Sequence, residues 1–185
     1  MEKETLVSMT IISTMNQMQY QLYTESDKVL KRILLIITDK NGISGPFALT
    51  GWEKVDNPTA VLHGNCLFIA WELYVDNCRI QYAKLNLETS VNADSIAIAG
   101  KNRYDLTGIE ERCYRPRLSV SGENLLLCYE HFNGEHYIIT AKLYQDGVFF
   151  GPFELGSEKG NNQEPWLTST EGGCILTYEN SSPLY

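Results

Sequence analysis

Residues 116–143 read Pro-Arg-Leu-Ser-Val-Ser-Gly-Glu-Asn-Leu-Leu-Leu-Cys-Tyr-Glu-His-Phe-Asn-Gly-Glu-His-Tyr-Ile-Ile-Thr-Ala-Lys-Leu. Three apolar runs alternate with two segments that contain glycine and asparagine, residues that favour tight turns. The stretch is therefore predicted to form three consecutive antiparallel β-strands, and the rest of the chain repeats this arrangement.

The repeat is anchored by a proline and, 14 residues later, a glutamate that follows an aromatic residue. Three copies keep both anchors: Pro58 and Glu72, Pro116 and Glu130, Pro165 and Glu179. An N-terminal copy is degenerate. It keeps the aromatic residue as Tyr23, but Thr10 replaces the proline and Thr24 the glutamate.

A period of about 50 residues built from short strands is typical of β-propeller blades. The fold class is therefore predicted to be all-β, with blades of four-stranded antiparallel sheets in one domain over residues 1–185. The predicted units are three blades and half of a fourth, at about residues 5–56, 57–104, 115–160 and 164–185.

Three and a half blades leave an open ring with an exposed strand edge, which closure normally hides. Three explanations are compatible with the pattern: a fragment of a longer protein, association of two copies, or completion by the N-terminal segment. The residues before Thr10 are too few to supply two strands. A fragment or a homo-oligomer is therefore favoured.

Three segments are harder to interpret. Residues 26–35 suit a short helix capped by Ser26, but alignment with the third copy favours a strand. Residues 94–99 are predicted to be the outer strand of the second blade. Residues 105–111, between blades, suit a helical turn.

Composition excludes several function classes. Hydrophobic content is 43% and net charge is −8, without a basic cluster, so neither nucleic acid nor an anionic membrane surface is an expected partner. No apolar run reaches the roughly 20 residues of a membrane span, and the N-terminus lacks a signal-peptide pattern. A cytoplasmic location is expected.

Cysteine and histidine spacing predicts neither a metal site nor a cofactor. The five cysteines form no Cys-x-x-Cys pair, and Cys128 and Cys174 fall in apolar strands, so buried reduced thiols are expected. His131 and His136 flank a short turn, but a metal needs more ligands than this pair.

Two local patterns resemble those of the sialidase-like propeller superfamily. Residues 114–118, Tyr-Arg-Pro-Arg-Leu, resemble the Arg-Ile-Pro segment that opens a sialidase blade, although Tyr114 stands where the arginine of that segment lies. Gly45-Pro46-Phe47 and Gly151-Pro152-Phe153, each after a turn, resemble eroded Asp-box regions. The resemblance implies blade architecture but transfers no complete catalytic set.

Residues just before the first strand of a blade often face the mouth of a propeller. These positions predict a polar ring that could bind a sugar or a small anion, and two neighbouring residues complete the candidate ligand site: Asn57, Arg115, Glu164, Arg117 and Trp166. Several aromatic residues, among them Tyr104, Tyr114 and Phe132, are candidates for stacking on sugars. The repeated glutamates are expected to be structural, since a catalytic residue rarely recurs in every blade.

No matched set of nucleophile, acid and base is recognisable. The first hypothesis is therefore a non-catalytic recognition propeller that binds a glycan or a protein. The alternative is a glycoside hydrolase of the sialidase-like kind, with an active site completed by further blades or a second subunit. A purely structural role is the third hypothesis.

Overall fold

A computed structural model describes residues 10–13, 18–87, 91–156 and 159–181. It contains four antiparallel sheets, here called blades 1 to 4. Blade 1 comprises β1 (Thr10–Ser13), β2 (Gln19–Ser26), β3 (Lys31–Asp39) and β4 (Gly42–Ala48). Blade 2 comprises β5 (Val55–His63), β6 (Cys66–Tyr74), β7 (Cys78–Asn86) and β8 (Tyr104–Asp105), with helix α1 (Ala93–Lys101) inserted before β8.

Blade 3 comprises β9 (Cys113–Ser121), β10 (Asn124–Phe132), β11 (Tyr137–Gln145) and β12 (Val148–Leu155). Blade 4 has two described strands, β13 (Asn161–Thr170) and β14 (Gly173–Ser181). Strands follow one another across each sheet in chain order, and the first strands of neighbouring blades contact each other along the inside of the ring. The predicted all-β propeller with four-stranded antiparallel sheets is confirmed.

The hydrophobic core lies between the blades. Leu22 and Ile33 of blade 1 pack with Ile69 and Trp71 of blade 2, and all four are fully buried. Because each inner sheet is covered on both faces, β6 is buried at seven consecutive residues, 67–73, which explains its unbroken apolar run. Burial of one such side chain stabilises the fold by about 1.5–3 kcal/mol.

The segment around residues 26–35 is extended, as predicted. β2 ends at Ser26, and β3 begins at Lys31 after a short turn in which Asp27 accepts a hydrogen bond from the backbone N–H of Leu30. The first blade was predicted to begin at about residue 5. The structure places its first strand at Thr10–Ser13, and residues 5–9 lie outside the described part of the chain.

The prediction of an outer strand at residues 94–99 was wrong, because these residues form α1. Asn92 caps the helix, accepting from the backbone N–H of Ser95, while the Ser95 hydroxyl returns a capping-box contact. Ile96, Ala99 and Gly100 form the buried face. The fourth strand of blade 2 is instead β8. The segment 105–111, where a helical turn was expected, contains β8 residue Asp105, bends and one turn, in which the backbone N–H of Glu111 donates to the carbonyl of Gly108 at 3.2 Å.

Among the described residues, blade 4 is covered on one face only. Leu167, Leu176 and Tyr178 pack against Cys128 and Ile139 of blade 3. The opposite face, which we call the open face, consists of side chains exposed to solvent: Trp166, Thr168, Ile175, Thr177 and Glu179. No helix in the described part of the chain is long and apolar enough to cross a membrane.

Candidate functional site

The inner strands β5, β9 and β13 each carry a bulge near their N-terminal ends, where the pairing register shifts. At each bulge a residue with left-handed backbone precedes a proline: Asn57, Arg115 and Glu164, with φ of 46°, 51° and 52°. Such a conformation costs about 1–3 kcal/mol outside glycine, and it is concentrated at functional sites. We call this end of the sheets the mouth.

The prediction that these three residues lie just before the strands was wrong. They lie inside the strands, which begin earlier, at Val55, Cys113 and Asn161. The bulge makes this possible, because the following proline has no N–H to donate and would otherwise interrupt the ladder.

Glu72 is 1% exposed, and both its carboxylate oxygens accept hydrogen bonds. Oε1 accepts from the Nδ2 amide of Asn57 at 2.9 Å and from the backbone N–H of Arg115 at 2.6 Å. Oε2 accepts from the Tyr74 hydroxyl at 2.6 Å. Glu72 therefore links blade 2 to blade 3.

Glu130 repeats this role at the next boundary and is completely buried. Its Oε1 accepts from the backbone N–H of Glu164 at 2.6 Å, and its two oxygens accept from Nη1 of Arg115 at 2.9 and 2.8 Å. The interpretation of the repeated glutamates as structural agrees with these contacts. Glu179, the third copy, is exposed on the open face, and its carboxylate has no hydrogen-bond partner among the described residues.

Arg115 is shared between two carboxylates. In addition to Glu130, its Nε lies 3.0 Å from Oε1 of Glu164. Burial lowers the pKa of Arg115, but the hydrogen bond and charge of Glu130 and the charge of Glu164 outweigh burial and raise it. The structure thus brings Arg115 and Glu164 together, whereas the Asn57 side chain bonds to Glu72. A guanidinium engaged in this way is poorly placed to bind a further anion.

Arg117 and Trp166 also come together, across the boundary of blades 3 and 4. The Arg117 guanidinium carbon lies 5.6 Å from the centroid of the Trp166 ring, within the range of a cation–π contact. Nη1 of Arg117 donates to the backbone carbonyl of Pro116 at 2.9 Å. Trp166 remains 60% exposed and offers an open aromatic surface.

Two mouth carboxylates are partly open to solvent. The side chain of Asp56, on blade 2, is 36% exposed, and that of Glu164, on blade 4, is 47% exposed. Nζ of Lys31 donates to Oδ2 of Asp56, while Oδ1 accepts from the backbone N–H of Asn57 at 3.0 Å. Each of the two carboxylates therefore has a cation beside it and solvent access.

Four aromatic rings at the same end of blades 2 and 3 form a row of neighbours. Ring centroids are 6.5 Å apart between Tyr74 and Tyr114, 6.0 Å between Tyr114 and Tyr137, and 5.2 Å between Tyr137 and Phe132. Burial is the largest cause that raises the pKa of Tyr74 and Tyr114, so both phenols stay neutral. Sequence reasoning missed Tyr74 and Tyr137, since a single aromatic residue at a strand end carries no pattern.

The cysteines form no disulfide among the described residues. Cys78, Cys113 and Cys128 are buried, as predicted for structural thiols, whereas Cys66 and Cys174 are half-buried. Burial is the main cause that raises the pKa of Cys113 and Cys128 to about 12. Such thiols are protonated near neutral pH and make poor nucleophiles.

Fold and mouth together define a class: a β-propeller whose mouth combines carboxylates with aromatic rings. No protein-family profile matches the sequence, and no curated protein matches it. The solved structures that are similar to the chain include two glycoside-cleaving enzymes. One is an endo-arabinase from Bacteroides thetaiotaomicron, with a TM-score of 0.60 and 12% identity, covering 92% of this chain and 69% of the endo-arabinase.

The other is a thermostable family-43 glycoside hydrolase, with a TM-score of 0.51 and 14% identity. This match covers 80% of the chain and 59% of the hydrolase. At these identities the similarity is one of fold.

Proposed function

We propose that the chain belongs to a glycoside hydrolase and that its mouth binds and cleaves a glycan. The observation that carries the proposal is the pair of accessible carboxylates, Asp56 on blade 2 and Glu164 on blade 4, at the mouth end of the inner strands. Hydrolysis of a glycosidic bond ordinarily uses two carboxyl groups. The two fold neighbours, which are named as glycoside-cleaving enzymes, support the same conclusion.

Each mouth residue has a distinct role in this proposal. Asp56 and Glu164 supply the general acid and its partner carboxylate. Arg115 is a positioning residue, because its Nε holds Glu164. Glu72 and Glu130 do not take part in proton transfer, since they are buried and their oxygens already accept hydrogen bonds from the blades.

The proposed substrate is a neutral glycan. A sialidase-like enzyme would need a free arginine for the substrate carboxylate, and Arg115 is already bound to Glu130 and Glu164. A second acidic group in this mouth would meet like charges, which is unfavourable. The sialidase-like version of the hypothesis is therefore the weaker one.

A complete mouth requires a cover for the open face of blade 4. In blades 2 and 3 the equivalent face is covered by the next blade, whose backbone N–H binds the repeated glutamate. We propose that a further blade occupies this position in the functional protein, with a second copy of the chain as its source in a homo-oligomer.

A second candidate is a recognition propeller that binds a glycan without cleaving it. The observation that favours it is the pairing of both accessible carboxylates with cations, Asp56 with Lys31 and Glu164 with Arg115. The oxygens of both carboxylates are thereby engaged in contacts within the protein, which suits binding or structure better than proton transfer to a substrate.

Activity assays separate the two candidates. The wild-type chain is tested on linear arabinan and on aryl arabinosides and xylosides, and binding of the same glycans is measured by calorimetry. Under the hydrolase proposal, Asp56→Asn and Glu164→Gln each lower kcat by about a hundredfold or more. The matched control is Glu171→Gln, an exposed carboxylate at the turn between β13 and β14, far from the mouth.

Binding without turnover would favour recognition. Turnover unaffected by both mouth variants would overturn the assignment of the carboxylates. Absence of both turnover and binding would refute both candidates.

A further inference from the structure

Blade 2 departs from the repeat at one place, the insertion of α1 between its third and fourth strands. In blades 1 and 3 the corresponding strands are joined by tight turns, with Asp39 paired to Gly42 and Gln145 to Val148. A helix there is not needed to build a blade. An element that breaks a structural repeat is a candidate for a function of its own.

The insertion is firmly held against blade 1. A Cβ atom at Gly100 of α1 would lie 1.7 Å from the backbone carbonyl oxygen of Leu49, so only glycine permits this approach. The capping box at Asn92 fixes the other end of the helix. α1 therefore forms a fixed wall rather than a loose loop.

Between this wall and blade 3 lies a groove with a volume of about 630 Å³. It is on the outer edge of blades 2 and 3, away from the inner strands and the mouth. Its principal lining side chains are aromatic and aliphatic, with one lysine: Tyr82, Lys84, Ile98, Tyr104, Tyr144 and Val148.

One wall of the groove is an aromatic shelf made by Tyr104 and Tyr82. The two rings are stacked, with centroids 5.2 Å apart and planes 27° from parallel. Tyr82 is supported from behind by Phe149, at 5.1 Å. Tyr104 itself is 54% exposed, so the ring is backed on one side and open on the other. Sugar rings stack on flat aromatic surfaces of this kind through their apolar C–H faces.

The groove carries a positive charge, that of Lys84. It is the one charged side chain among the described residues that line the groove, although the whole chain carries a net charge of −8. Its ammonium group lies 5.9 Å from the Tyr144 ring centroid and 5.5 Å from that of Phe68. These contacts hold the cation at the groove surface.

We infer that this groove is a second saccharide site, which takes an acidic sugar with its ring on Tyr104 and its carboxylate at Lys84. The inference is independent of hydrolysis at the mouth. It gives the protein two sites of opposite preference, because the mouth is lined by carboxylates and its arginine is already paired, whereas the groove has an aromatic shelf and a lysine.

The test is calorimetric titration of the full chain with tri-galacturonic acid and with galactotriose, its neutral counterpart. We expect the acidic sugar to bind about threefold or more tightly than the neutral one, as for a partly exposed ion pair. Tyr104→Ala should weaken binding of both sugars by about tenfold. Lys84→Gln should remove the preference for the acid, and added salt should weaken binding of the acidic sugar alone.

Two variants serve as matched controls. Phe153→Ala removes another aromatic ring from an outer strand, with 51% exposure, and Lys40→Gln removes a lysine from an exposed turn. Neither should change binding of either sugar. The inference is overturned if neither sugar binds, if binding survives Tyr104→Ala, or if both sugars bind the wild-type chain equally.

Discussion

The backbone N–H of Glu164 donates a hydrogen bond of 2.6 Å to Oε1 of the buried Glu130. An equivalent hydrogen bond occurs one blade earlier, from the backbone N–H of Arg115 to Glu72. We call these two hydrogen bonds between neighbouring blades the blade joints. A charged acceptor in a dry interface makes a stronger bond than a neutral one. These joints therefore fix the angle between successive blades at the point where the mouth residues project.

Replacing Glu130, which accepts this hydrogen bond, should weaken the packing between blades 3 and 4. Glu130→Gln keeps the shape of the side chain but removes the charge that the Arg115 guanidinium and the Glu164 amide share. We expect a loss of about 3 kcal/mol in the free energy of unfolding, the scale of a broken buried ion pair. Urea denaturation measures this loss.

The chain contains a natural control for that experiment. Glu179 occupies the same repeat position, but it is exposed on the open face. In the Ile175→Lys background, which is expected to be monomeric and so to leave the open face uncovered, Glu179→Gln should change the free energy of unfolding by less than about 0.5 kcal/mol. Equal losses in the two variants would show that the charge alone, and not the joint, accounts for the effect.

The packing of α1 on blade 1 gives a second prediction. Alanine in place of glycine usually stabilises a helix by up to about 1 kcal/mol. At Gly100 the sign should reverse, with a loss of about 2 kcal/mol or more, because the new methyl group would overlap the carbonyl of Leu49. Gly172→Ala, where a Cβ atom meets nothing within 4 Å, should leave the melting temperature unchanged.

The buried thiols predict a loss of stability in alkali. Burial raises the pKa of Cys113 and Cys128 from 9.0 to about 12. Between pH 9 and 12 these thiols keep their protons in the folded state and lose them in the unfolded state. The contribution of each protonated thiol to stability is therefore fully present below pH 9. Above pH 9, each thiol lowers the free energy of unfolding by about 1.4 kcal/mol per pH unit.

Urea titrations between pH 8 and 10.5 test this dependence. Cys128→Ala removes one of these buried thiols, so the decline of the free energy of unfolding with pH should become shallower by about 1.4 kcal/mol per unit. The variant also loses a constant amount of stability from packing, which the slope does not register. If the free energy of unfolding of the variant falls with pH as steeply as that of the wild-type chain, the prediction is contradicted.

The open face predicts self-association. Ile175 and Trp166 are 54% and 60% exposed there, on a sheet face that is buried in the preceding blades. Light scattering should give the wild-type chain twice its own mass or more, because such an apolar face and strand edge associate readily. Ile175→Lys should shift the protein to monomer.

Ile43→Lys is the control for this substitution, since Ile43 is 74% exposed on the outer strand of blade 1. It should leave the association unchanged. A wild-type chain that is monomeric at all concentrations would contradict the proposal that a second copy covers the face.

Much of the fold was predictable because local patterns repeat. The recurring proline and glutamate located the inner and second strands of the blades, and repetition itself indicated that Glu72 and Glu130 are structural. The prediction of an outer strand at residues 94–99 in blade 2 was wrong for a physical reason. The alternation in Ser95-Ile96-Ala97-Ile98-Ala99 fits a strand, but the cap at Asn92 and the close approach at Gly100 favour a helix.

The chemistry of the mouth was less predictable, because it depends on contacts between distant parts of the chain. Arg115 was expected to be open to a ligand, but Glu130 and Glu164, 15 and 49 residues away, pair with it. The groove depends in the same way on contacts among α1, blade 2 and blade 3. Nothing in the local sequence shows which side chains meet there.

The blade joints use main-chain amides, and this has a consequence for how the protein can change. Every amino acid except proline brings the same N–H to the joint, so an arginine at position 115 and a glutamate at position 164 serve equally. Within the limits set by a left-handed backbone, these main-chain contacts do not depend on the side chain, although the Arg115 guanidinium adds contacts of its own to Glu130 and Glu164. Evolution or design can therefore change the side chain at position 164, and with it the ligand specificity of the mouth, while the ring keeps its shape.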